Sequence, residues 1–336
     1  MKLATYKDGS RDGQLVVVSR DLSLAHYATG IAYRLQQVLD DWNFLSPQLQ
    51  DLYDALNRAR DSSASTGTGL ARHAFPFDPR QCMAPLPRAY QWVNGAAYRN
   101  PQSGHGPAST ATAPLLYQGA SDDLLGPCDE LRCASEADGI DFEAEVAVVT
   151  GDVRLGATPA QALDGIRLLL LANALCLRQW LPSELAQGFG PLQSRPATAF
   201  SPVAVTPDEV GAVWAQGRLD LTLQTSWNGR KVALCEAGPE MRFHFGHLIA
   251  QVCKTRRVRA GTLIGAGAVS NLDASHGYSC IADKRALETL QDGQPMTEFM
   301  KFGDTVRIEM KGRDGQSVFG AIEQEIVPLD KPVAAL

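Results

Sequence analysis

The chain has 336 residues, 45% hydrophobic and 20% charged, with a formal net charge of −6, enough for one large domain with an appendage or for two ordinary domains. The acidic balance excludes a nucleic-acid surface, which needs a basic field against phosphate; the basic run from Lys254 to Gly261 reads as a solvated patch at a helix end. The longest apolar run, Ile166 to Leu177, includes Arg167 and Asn173. It falls short of the ~20 residues that cross a bilayer, and the first residues lack a signal-peptide core.

Along the chain, residues 1 to 20 alternate like a hairpin, with "KLATYK" and "QLVVVS" on either side of a "DGSRDG" turn. Helical segments are expected in "LAHYATGIAYRLQQVLDDW" and in "SPQLQDLYDALNRAR". Ser46-Pro47 would start the second, as a cap and a first-turn proline. The small, polar stretch 61–80 is the best linker candidate, which divides the chain into an N-terminal domain (1–82) and a C-terminal domain (83–336). From residue 82 the character changes. Strand-like runs ("FEAEVAVVTGDV", "LDLTLQTSWNG", "TVRIEMKG", "FGAIEQEIV") alternate with Gly/Pro turns, and "PAQALDGIRLLLLANALCLRQW" reads as the main helix. The segment 99–114 reads as a loop, and no internal repeat is evident. The pattern predicts an α+β, mostly β fold. Seven cysteines, an odd number without CxxC spacing, predict reduced thiols in a cytoplasmic protein.

The stretch most loaded with chemistry is "DFEAEVAVV". Glu143 and Glu145 lie two apart in an extended run, so their side chains share one face about 6–7 Å apart. Such carboxylates repel each other unless a cation lies between them or one keeps its proton.

In order along the chain, "FEAEVAVV", "LLANALCLR", "PATAFSPVAV", "AGTLIGAGAVSN" and "MKFGDTVRIEM" resemble the motifs of the fumarylacetoacetate hydrolase family, in particular its longer bacterial members with a small N-terminal domain. The resemblance implies a mixed β-sandwich roll that usually forms a homodimer. It also implies a divalent ion, Mg²⁺ or Mn²⁺, that chelates a keto- or diketo-acid substrate and stabilises the enolate formed on C–C hydrolysis, hydration or decarboxylation. Glu143 and Glu145 would be the metal carboxylates. The other positions depart from the family pattern. Asn94 stands where an aspartate is expected, and Ala174 follows Asn173 where another should be. Pro101 takes the place of a histidine, with His105 nearby, Arg195 that of a lysine, and Ala268 breaks the expected glycine-threonine.

Candidate catalytic residues are therefore Glu143, Glu145, Arg195 and His276, the last on a Gly/Ser-rich loop. Candidate substrate contacts are Tyr117, Gln118, Arg178 and Asn94, with Arg195 suited to clamping a carboxylate. His244 and His247, three apart on a helical stretch, lack a third ligand and read as core or cap histidines. No cysteine has a histidine in a nucleophile pattern. Three functions stay open: an enolate-forming enzyme on a β-dicarbonyl or 2-oxo acid with a reduced metal site; a metal-independent cyclase, isomerase or dehydratase of a specialised biosynthetic pathway, with a glutamate moving the proton; and a non-catalytic binding or partner subunit.

Overall fold

The computed structural model describes residues 1–61, 73–98 and 112–331. Most of the strands among them join one large sheet. Its order runs Phe75–Pro76, Leu24–Tyr27, Gln14–Val18, Lys2–Tyr6, Ala204–Val205, Ile166–Asn173, Ala144–Thr150, Thr262–Gly265, Trp92–Gly95 and Leu116–Gly119. Neighbours are antiparallel except Thr262–Gly265 beside Trp92–Gly95. A second sheet of five strands is ordered Arg230–Glu236, Thr222–Trp227, Thr305–Met310, Ile322–Pro328 and Leu131–Cys133. The fold is thus mostly β, and every late strand-like run named from sequence forms a strand or part of one.

The first hairpin forms as expected, with Lys2 opposite Val18 and Tyr6 opposite Gln14. The segment expected to be helical from Leu24 instead begins as the strand Leu24–Tyr27, and its helix is confined to Leu35–Asp40. Pro47 does not start the next helix, which runs Trp42–Asp61 with the proline inside it and exposed. The proline's missing N–H costs one bond near the beginning of a 20-residue helix, which the buried Leu49, Tyr53 and Leu56 hold against the sheet.

The largest correction concerns residues 159–180. Only Pro159–Leu163 is helical there; Ile166–Asn173 is a central strand. Its leucines alternate between two cores. Leu169 and Leu171 enter the cluster shared with the second sheet, whereas Leu168, Leu170 and Ala172 enter the one beneath the helices. A strand buried on both faces shows no period-2 pattern, so its apolar run is indistinguishable from a buried helix in sequence.

The basic run after Val252 is exposed at the end of the helix Phe245–Val252, as expected. His244 caps that helix, accepting from Gly246 N at 3.1 Å, and its ring lies 3.8 Å from that of His247. All seven cysteines are free, and among the described residues no helix is long and apolar enough to cross a membrane. His105, Pro101 and most of the expected 61–80 linker and 99–114 loop lie outside the described residues.

Candidate active site

The site grows from the end of the strand Ala144–Thr150. Glu143 and Glu145 have the same parity as Ala147 and Val149, so both carboxylates lie on one face, 5% and 0% exposed. The antiparallel partner strand runs from Ile166 to Asn173, and the pairing resumes with Asp141 opposite Cys176. This register delivers Arg178 beside Asp141 and Glu143. Arg178 Nε donates to Asp141 Oδ2 at 2.8 Å and Nη2 to Glu143 Oε1 at 2.6 Å. Arg195, shortly before a strand that pairs with Ile166–Asn173, donates from Nη1 to Glu143 Oε2 at 2.5 Å. Both Glu143 oxygens are therefore held by guanidinium groups.

Glu145 is held differently. Asn94 Nδ2 donates to its Oε1 at 2.8 Å and Gly267 N to its Oε2 at 3.2 Å. Asn94 lies two strands away, and its side chain reaches over Gly265. A Cβ on Gly265 would lie 2.4 Å from Asn94 Oδ1, so only glycine leaves that path open. Asn94 Nδ2 also meets the Tyr117 hydroxyl at 2.9 Å, and Tyr117 lies under Arg195, whose guanidinium carbon sits 4.7 Å from the ring centroid.

The electrostatics follow from these partners. Burial alone would raise Glu143, but Arg195 and Arg178 outweigh it and hold the carboxylate below its usual range. Burial, reinforced by the charge on Glu143, pushes Glu145 well above the carboxyl range, so the pair shares one proton, with Glu145 the protonated partner. Asp141, also buried, accepts from the Ile281 and Ala282 amides at 2.6 and 3.0 Å and so caps the helix Ile281–Asp292. Burial raises it against the pull of Arg178 and those amides.

A cleft of about 780 Å³ opens over this cluster, lined by Asn94, Tyr117, Gln118, Glu143, Arg178 and Arg195 among others. Seven of the eight residues singled out as catalytic or substrate-binding thus gather here, Glu145 as the buried support beneath. The eighth, His276, does not line the cleft; its Nδ1 lies 3.3 Å from the Asp273 carbonyl on a turn elsewhere. Sequence reasoning missed Asp283. It stands in the first turn of the helix that Asp141 caps and lines the cleft, and burial pushes its carboxyl up to about 6. Only the fold brings it to the site. Cys280 lines the cleft too, but burial drives its thiol well up, which leaves it a poor nucleophile.

The residues present do not fit a divalent ion. The oxygens of Glu143 are taken by two cations and those of Glu145 by two N–H groups, and Asn94 turns its NH₂, not its carbonyl, toward Glu145. Asn173 is spent on structure, accepting from Glu143 N at 3.2 Å and donating to Gln324 at 3.0 Å. Ala174 has no side-chain donor. A dication placed here would face two guanidinium groups and lack the oxygen-rich shell that Mg²⁺ or Mn²⁺ requires. Among the described residues no group of three or more His, Cys, Asp or Glu is placed to hold a metal.

Residues 91–327 match the model of the fumarylacetoacetate (FAA) hydrolase C-terminal domain, and residues 1–88 that of fumarylacetoacetase N-terminal domain 2. The chain belongs to the fumarylacetoacetate hydrolase family. Solved structures of similar fold include a putative HpcE protein from Mycobacterium smegmatis, with 16% identity, a TM-score of 0.64, and 98% of this chain and 100% of that one covered. A probable 2-hydroxyhepta-2,4-diene-1,7-dioate isomerase from Mycobacterium abscessus is 17% identical, with a TM-score of 0.63 and coverage of 99% and 100%. Maleylpyruvate hydrolase from Sphingobium sp. SYK-6, solved with manganese(II) and pyruvate, is 13% identical, with a TM-score of 0.62 and coverage of 98% and 99%. At these identities the likeness speaks for the fold. No curated protein sequence matches the chain. In this chain two arginines hold Glu143, the first of the paired glutamates, while Glu145 is held by Asn94 and the Gly267 amide.

Proposed function

We propose that this family member binds a small keto or β-dicarbonyl acid in the cleft and moves a proton on it without a divalent ion, as an isomerase or tautomerase does. The observation that carries the reading is the double arginine grip on Glu143. It places fixed positive charge at the cleft floor, where a carbonyl or carboxylate oxygen of a ligand would otherwise meet a metal. Arg195 has donors to spare for that oxygen. Its hydrogen bonds among the described residues run through Nη1, which leaves Nη2 for that oxygen, whereas Nε is buried without a partner.

The chemistry needs a base as well. The Asp283 carboxylate takes the proton from the acidic carbon, and the C–H electron pair moves to the carbonyl oxygen facing Arg195. Return of that proton to a different carbon completes an isomerisation. A carboxyl raised to about 6 suits a base that works near neutral pH. Glu145, protonated and behind the floor, keeps Glu143 from facing a second negative charge. The isomerase named among the structural neighbours is consistent with this class of reaction.

The test is deuterium exchange at the acidic C–H of an acylpyruvate in D₂O, followed by NMR with a chelator present. The reading expects exchange that persists in chelator and is lost in Asp283→Asn. Exchange that appears only on adding Mg²⁺ or Mn²⁺ would overturn it.

A further inference from the structure

We propose that the ligand is amphiphilic: its acid head group sits at Arg195, and an apolar tail lies along Leu181, Leu185 and Phe189 at the mouth of the cleft. This deepens the reading above and rests on it for the head group.

The charged groups Glu143, Arg178 and Arg195 form the buried part of the cleft lining, whereas several of its large apolar side chains are exposed. Leu181 and Leu185 share one face of the helix Leu181–Gln187 at i, i+4 spacing, and Phe189 follows on the loop beyond. Leu115 faces the cleft as well. Leu181 is buried, but Leu185, Phe189 and Leu115 are 54%, 98% and 64% exposed. A lone exposed leucine is ordinary; several large apolar side chains lining one concave cleft mark a surface waiting for an apolar partner.

A small molecule fits that place better than a flat partner would, because the apolar wall is continuous with the ion-paired floor. The volume of about 780 Å³ lies within the usual range for ligand sites and far exceeds what a molecule as small as pyruvate fills. Gln251, Thr255 and Arg256 add polar groups to the lining, so the apolar surface covers only part of the cleft. A short dicarboxylate would leave the apolar wall in water, whereas an acid with an alkyl or aryl extension would cover it.

The experiment is a calorimetric series of acylpyruvates with alkyl ends from methyl to octyl, on wild type and on the surface variant Leu185→Ser with Phe189→Ser. In wild type the affinity should rise by up to roughly fourfold per added methylene, the ceiling set by ~0.8 kcal/mol per buried CH₂. The variant should flatten that rise and leave the methyl compound's affinity unchanged. A flat wild-type series, or an equal rise in both proteins, overturns the tail. So does a wild-type dimer that the variant turns into monomers, since the rim would then be a contact between copies. The 1,3-diketones lacking the carboxylate separate the two halves. If they bind as tightly as the acids, the acid head group and the reading beneath it fall, whatever the tail shows.

Discussion

Replacing Arg178 with methionine tests the charge network directly. The arginine side chain is buried and bridges the buried carboxylates of Asp141 and Glu143. Removing one partner from a buried ion pair costs roughly 3–5 kcal/mol, because the other charge is left uncompensated. Here Asp141 keeps its two amide bonds and Glu143 keeps Arg195, so the loss belongs at the lower end, about 3 kcal/mol. At about 2 °C per kcal/mol for a chain of this size, the unfolding midpoint should fall by roughly 6 °C. The pH dependence has a definite sign. Asp141 is already raised by burial in the wild type, and without Arg178 only its two amide bonds oppose that rise, so the folded variant binds more protons at Asp141 than the unfolded chain does. Its stability then decreases as pH rises. The deficit against wild type should be larger at neutral pH than in acid, where Asp141 takes up its proton with or without Arg178. Urea unfolding followed by tryptophan fluorescence across that range measures it. A deficit under about 1 kcal/mol at pH 7, or one that stays constant down to acid pH, would refute the argument.

Two further outcomes follow from the same geometry. Asn94→Asp with Ala174→Asp restores two oxygen donors, yet should not raise Mn²⁺ affinity while Arg195 remains; with Arg195→Ala added, binding should appear in calorimetry. A gain in the double variant alone would mean that the arginine does not compete with the ion. Asp283, raised by burial, loses stability for the fold as pH rises through about 6, so Asp283→Asn should be more stable than wild type above that pH and equal to it at pH 4. Thermal unfolding at the two pH values checks it, and a gain that is the same at both would show that ionisation is not the cause.

Much of this arrangement is legible in the sequence. The motif order identifies the fold, and the i, i+2 glutamates pose the question of what neutralises them. The answer is non-local: Arg178 lies 35 positions from Glu143 and Arg195 lies 52 away, and only the strand register brings them together. Asp283 carries no local signal at all, since its role depends on a helix whose start is capped by Asp141, 140 positions before Ile281. The misread leucine run fails for a different reason. A strand sandwiched between two cores loses the polar–apolar alternation that would reveal it. His276 shows the opposite error, a residue plausible by its loop and placed elsewhere by the fold.

The large sheet also ties the two ends of the architecture together. Lys2–Tyr6 hydrogen-bonds to Ala204–Val205, which borders the strand partnered by the glutamate strand. The N-terminal hairpin is therefore the selvedge of the fabric in which the site is woven. A chain trimmed of residues 1–82 would bare Ala204–Val205 and the side of Ile166–Asn173 beside it as an open edge, ready to recruit a strand from another molecule. Any attempt to shrink this protein to its cleft would have to supply a new border first.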